Sequence, residues 1–222
     1  LATNPFFEGI DDPAIREYRG CSFCGRGNRD RVARESDPFA PVLRQILAHQ
    51  RATPPSDQQH EYMLGDFSGE LWRFLDHVLA AGIAPSTFTT MVRADQLVRS
   101  PDRMNRLLEQ MREGNHGLTL ISIGAENFSP EENLRFNKGV TPERLWKCAD
   151  LIDDWYERFP DTFDCPDPGY FSVILFTPWT TPDDLRANIT AARRLGASWL
   201  RGAMGTRLQL IFETPIVQLA RR

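Results

Sequence analysis

The residues with the clearest chemical potential lie near the start of the chain, in Glu17-Tyr-Arg-Gly-Cys-Ser-Phe-Cys-Gly25. Two cysteines three apart, Cys21 and Cys24, can hold two corners of a zinc site, form a dithiol/disulfide couple, or give two thiolates to an iron-sulfur cluster. Spacing alone does not choose among these. A structural zinc site asks for a second pair, yet Cys148 falls inside a helical pattern and Cys165 in Asp164-Cys-Pro-Asp-Pro, so neither completes another Cys-x-x-Cys. A thioredoxin-like couple asks for the pair at a helix start in a much shorter domain. Six arginines between Arg16 and Arg34 would favour thiolates or neutralise an anionic ligand, or else line a solvated basic loop. The four histidines, His49, His60, His77 and His116, show no ligand spacing.

The elements that must position these thiols are legible from punctuation. Ser100-Pro-Asp, Ser129-Pro-Glu-Glu, Thr141-Pro-Glu and Thr181-Pro-Asp-Asp each offer a hydroxyl cap, a proline at the first helical position and acids at the positive end of the helix dipole. Behind Thr141, residues Leu145, Cys148, Leu151, Ile152 and Tyr156 recur at helical steps. Between helices, strands are expected at 61–67, 87–93, 118–124, 170–176 and 208–212, with a short first strand at 15–18 just before the cysteines. Strands alternating with helices imply parallel pairing, because a parallel neighbour needs a crossover long enough to hold a helix. About six units fit, enough for an α/β partial barrel and too few for a closed eight-unit one. Ligands then belong at the C-terminal ends of the strands.

Composition narrows the classes. The chain has 222 residues, 41% hydrophobic and 25% charged, with no apolar run long enough to span a bilayer. A net charge of -4 argues against a large nucleic-acid footprint. Four cysteines are too few for a disulfide framework, and the expected compartment is the reducing cytoplasm. One domain over 1–222 is expected, excerpted from a longer chain whose further domains select the substrate.

Taken in order, several segments resemble the core of the radical S-adenosylmethionine (radical SAM) enzyme superfamily, including its cobalamin-dependent type. Gly20-Cys-Ser-Phe-Cys-Gly resembles the second half of the three-cysteine cluster motif, and Phe67-Ser-Gly-Glu-Leu the Gly-Gly-Glu segment after the second strand. Ile123-Gly-Ala-Glu-Asn-Phe-Ser followed by Leu134-Arg-Phe-Asn-Lys-Gly-Val-Thr resembles the fourth strand and its helix, and Phe176-Thr-Pro-Trp-Thr-Thr-Pro-Asp-Asp-Leu the loop after the fifth. The resemblance implies a partial (βα)6 TIM-like barrel with parallel strands, a 4Fe-4S cluster, and S-adenosylmethionine cleaved to a 5'-deoxyadenosyl radical that abstracts a substrate hydrogen. Cobalamin is a further cofactor that it allows.

Carried over by position, Cys21 and Cys24 would be cluster ligands and Phe23 would pack near the adenine. Gly69 and Glu70 would lie near the methionine amino group, Arg93 near the carboxylate and Glu126 near the ribose. Arg93 and Glu126 could equally form ordinary ion pairs at a barrel mouth. The partners implied are a small-molecule or peptide substrate and an electron donor such as flavodoxin or ferredoxin, with no membrane and no nucleic acid. The departure is at the first-cysteine position, which here is Glu17. A carboxylate is a harder ligand than a thiolate. Three readings of Glu17 stand open: an unusual ligand, a sign that Cys165 or an abbreviated motif supplies the third, or the mark of a degenerate, noncatalytic scaffold.

Overall fold

The computed structural model describes residues 4–12, 15, 20–24, 39–53, 59–65, 71–166, 171–196, 207–210 and 214–221. Its elements are α1 Ala40–Ala52, β1 His60–Met63, α2 Leu71–Ala80, β2 Ser86–Arg93, α3 Ala94–Leu97, α4 Pro101–Glu113, β3 Gly117–Glu126, α5 Pro130–Arg135, α6 Pro142–Arg158, β4 Phe163–Asp164, β5 Phe171–Val173, α7 Pro182–Leu195 and α8 Pro215–Ala220. Every assigned strand pairing with a register is parallel, so the architecture is α/β with the strand order of a partial TIM-like barrel. Chain segments cluster into two compact units. One holds 1–34, 125–145 and 171–222, and the other holds 35–124 and 146–170.

In the second unit the strands run β1-β2-β3-β4. Along β2, Ser86, Phe88, Thr90 and Val92 are buried and alternate with the more exposed Thr87, Thr89, Met91 and Arg93. The buried row meets helices: Phe74 of α2 stacks edge-on against Phe88 at 5.8 Å. Helix α4 buries Met104, Leu107, Leu108 and Met111, a three- and four-residue stripe, and packs on α2, where Arg103 pairs with Asp76. The β2-β3 register slips by one, from Thr90 opposite Leu120 to Met91 opposite Ser122, so Ile121 is an extra residue that bulges out. That bulge sets Arg93 opposite Gly124.

Helix α6 buries Leu145, Cys148, Ala149, Ile152 and Trp155. The expected stripe is corrected at its end, since Tyr156 is 50% exposed and Trp155 is fully buried, its indole N–H donating to Asn105 Oδ1 at 2.7 Å. The indole fills the core only because its single donor finds a partner there. Among the helix starts, Ser129 accepts from the Glu132 amide, and Thr181 with Asp184 forms a reciprocal capping box. Ser100 makes no side-chain cap bond, its ψ of 64° turning away from cap geometry.

In the first unit, Ile174 N–H donates to the Glu126 carbonyl at 2.6 Å where β5 meets the end of β3, and Phe176 bridges in parallel to Arg207. The strand expected at 208–212 is therefore represented by this bridge, and 211–213 lie outside the described residues. At the expected first strand, Ile15 donates its amide to the Asp12 carbonyl at 2.9 Å and closes a turn. Residues 16–19 lie outside the described ones. No described helix is long and apolar enough to cross a membrane.

Candidate functional site

The cysteine pair lies on a tight loop of the first unit. The Cys24 amide donates to the Cys21 carbonyl at 3.1 Å, and Gly20 enters the loop at φ 130°, a conformation that favours glycine. Cys21 is buried and Cys24 half-buried. Between them Ser22, fully buried, has all three polar groups engaged. Its amide donates to the Phe136 carbonyl at 2.8 Å, its hydroxyl to the Arg135 carbonyl at 2.6 Å, and its carbonyl accepts from the Ile216 amide at 3.0 Å. The carbonyls at 135 and 136 are end-of-helix acceptors that α5 cannot satisfy itself, so the cysteine loop caps α5. Phe23 stacks edge-on against Phe136 with centroids 5.2 Å apart.

The Asn137-Lys138-Gly139 segment acquires a physical reading. Asn137, at φ 51°, donates Nδ2 to the Gly20 carbonyl at 2.7 Å and so ties the segment to the cysteine loop. Lys138 Nζ reaches Glu126 Oε1 at 2.5 Å, and both side chains are buried. Gly139 turns the chain at φ 68° toward α6. Glu126 itself sits at φ 66°, the left-handed region that a non-glycine residue occupies at a cost. The position expected near a ribose thus carries, on a strained backbone, a carboxylate held by a buried ammonium.

A buried polar network backs this loop. Asn127 Oδ1 accepts from the Ser129 amide and from Asn188 Nδ2, both at 2.8 Å, while Asn133 Nδ2 donates to the Asn127 carbonyl. Glu132, with no solvent exposure, accepts from Thr177 at 2.9 Å and Thr180 at 3.1 Å and pairs with Arg135 at 3.2 Å. Burial raises the Glu132 carboxyl above the usual range, against the opposing pull of Thr177 and Arg135. Burial also pushes Asp184 upward, but hydrogen bonds from Ser129 and Thr181 outweigh it and leave that carboxyl lowered.

In the second unit Arg93, at the end of β2, donates Nε to Asp95 Oδ1 at 2.8 Å, and Arg99 approaches the other oxygen of Asp95 at 3.5 Å. The Cys165 thiol donates to the Leu120 carbonyl at 3.3 Å, and burial pushes it up to about 12. Burial raises Cys148 further still. Glu17, Gly69 and Glu70 lie outside the described residues. Among the described residues no group of three or more His, Cys, Asp or Glu could hold a metal ion.

Ser22, Glu132, Arg135 and Lys138 were not singled out by type or spacing. The signal available was the serine enclosed by two cysteines and the lysine in the Asn-Lys-Gly run.

No family model matches the chain, and no curated protein does. Among solved structures, it is similar to the cobalamin-dependent S-adenosylmethionine radical enzyme OxsB with aqua-cobalamin and S-adenosylmethionine bound, at TM-score 0.64 and 15% identity. The apo, selenomethionine-labelled form of OxsB matches at TM-score 0.59 and 14% identity. Each match covers 92% of this chain and 33% of that one, so the chain spans about one third of the length of these structures. At such identity the likeness shows the fold: this chain is folded as part of a radical SAM enzyme is.

Proposed function

We propose that this chain is a radical SAM core domain that binds a 4Fe-4S cluster and S-adenosylmethionine. The observation that carries the reading is the Cys21–Cys24 turn, pinned through Ser22, in a chain with the fold of a radical SAM enzyme. The donor chemistry fits, because thiolates are the usual protein ligands of such clusters and both thiols leave one short loop. Cys21 and Cys24 would hold two irons and Glu17 stands at the third position. When bound, the cluster supplies the electron that cleaves S-adenosylmethionine to methionine and a 5'-deoxyadenosyl radical for hydrogen abstraction.

The chain's own residues bind and orient. Phe23, stacked on Phe136, offers a ring edge for the adenine, and Glu126, steadied by Lys138, offers a carboxylate for the ribose hydroxyls. Arg93 offers a guanidinium for the cofactor carboxylate, in competition with Asp95. Gly69 and Glu70 would meet the amino group. A small-molecule or peptide substrate, a flavodoxin- or ferredoxin-type donor in the cytoplasm, and radical methylation or rearrangement with cobalamin complete the reading. The test is anaerobic iron and sulfide quantitation after reconstitution, electron paramagnetic resonance of the reduced protein with and without S-adenosylmethionine, and assay for 5'-deoxyadenosine. About four irons per chain, a signal perturbed by S-adenosylmethionine and cofactor cleavage are expected. A protein that binds S-adenosylmethionine but never iron would be the degenerate scaffold.

A further inference from the structure

We propose that Glu132 and Arg135 are positioning residues that hold the Cys21–Cys24 loop in a ligating shape before any metal arrives, acting through Ser22. The inference rests on the ligating role proposed for the pair. Three segments of the first unit converge on one turn of α5. The cysteine loop donates the Ser22 amide and hydroxyl to the carbonyls of Phe136 and Arg135, and the segment after β5 donates the Thr177 and Thr180 hydroxyls to Glu132. The Arg135 backbone takes the Ser22 bond while its guanidinium pairs with Glu132 and lies over the Phe6 ring at 4.6 Å, so one residue meets all three.

Stability is a poor reason for such a pair. Taking both charges out of water costs about as much as their attraction returns, and apolar replacements are often as stable. Glu132 Oε2 is buried without a hydrogen bond, a further cost. What the pair provides is a single geometry: two fixed carbonyls at the end of α5, aimed at the one residue between the cysteines. The side chains of Cys21 and Cys24 then leave a loop that has lost its backbone freedom in advance, which lowers the entropy cost of ligation.

The experiment is alkylation of the metal-free full chain by iodoacetamide, with each cysteine followed by mass spectrometry. Buried Cys148 and Cys165 report on the fold as a whole. In the wild type Cys24 should react faster than buried Cys21. In Ser22→Ala, Cys21 should speed up about five- to tenfold, the change expected from losing one buried hydrogen bond, and Glu132→Gln, which removes the charge paired with Arg135, should speed Cys21 in the same direction, while Cys148 and Cys165 stay unreactive. Thr180→Val removes one bond to Glu132 without unpairing a charge and should show the same pattern more weakly, which keeps the test open if Glu132→Gln does not fold. Unchanged Cys21 rates, or all four cysteines rising together, would overturn the proposal. Since the assay needs no iron, a wild type that never loads a cluster would count against the ligating role alone.

Discussion

Replacing Lys138 by Met keeps most of the side-chain volume and removes the ammonium 2.5 Å from Glu126 Oε1. Both groups are buried, so the mutant is left with a buried carboxylate that has lost its ammonium, and breaking such a pair costs about 3–5 kcal/mol. Urea unfolding of the full chain, with the slope checked for constancy, reads this directly. The E126Q/K138M double variant should recover most of the loss, because a neutral amide needs no counter-charge. A loss below about 1 kcal/mol, or a double variant no more stable than K138M alone, would refute a buried pair at the end of β3.

Four further outcomes are expected. Burial lowers His116, whose Nδ1 accepts the Ser86 amide at 3.2 Å, so its contribution is present above the ordinary value of about 6.5 and is lost as pH falls through its folded value; urea midpoints should drop on acidification toward pH 5.5, and less so in H116Q. The raised Glu132 carboxyl acts with the opposite sign, its contribution present below the ordinary glutamate value and lost as pH rises through its folded one, so E132Q should lack the fall in stability that sets in as pH rises above the ordinary glutamate value. Thr181→Ala removes the capping box of α7 and should cost about 1 kcal/mol by thermal or urea unfolding. Gly139→Ala meets no neighbouring atom but must hold φ 68°, and should cost about 1–2 kcal/mol by the same measurement, with no loss if that turn relaxes.

Local signals made much of the fold legible. Proline after a hydroxyl residue marked the starts of α4, α5, α6 and α7, and period-two burial marked β2. Segments of two or three residues carried too little pattern: β4, Phe163–Asp164, was not anticipated, because two residues cannot show an alternation. Trp155 was missed as a core residue since its burial depends on Asn105, fifty positions away. The site shows the same divide. Cys21 and Cys24 announce themselves by spacing, and the Asn-Lys-Gly run by resemblance. The partnerships Ser22–Arg135, Lys138–Glu126 and Thr177–Glu132 join residues whose sequence separation no local periodicity encodes. Arg93 and Glu126 were anticipated as charged groups for a cofactor, and each has an internal partner of opposite sign.

The bond from Ile216 N–H to the Ser22 carbonyl links positions about 200 residues apart, and its consequence is one of timing. At about 5–20 residues per second, a ribosome needs about 10–40 s to travel from one to the other. The segment 35–124 is contiguous and can collapse early in that interval, whereas the cysteine loop gains this anchor only after residue 216 has been made. Throughout that interval the loop has to be held by the nearer partners at Arg135 and Phe136, and a nascent chain stalled before Ile216 would present it with one bond fewer.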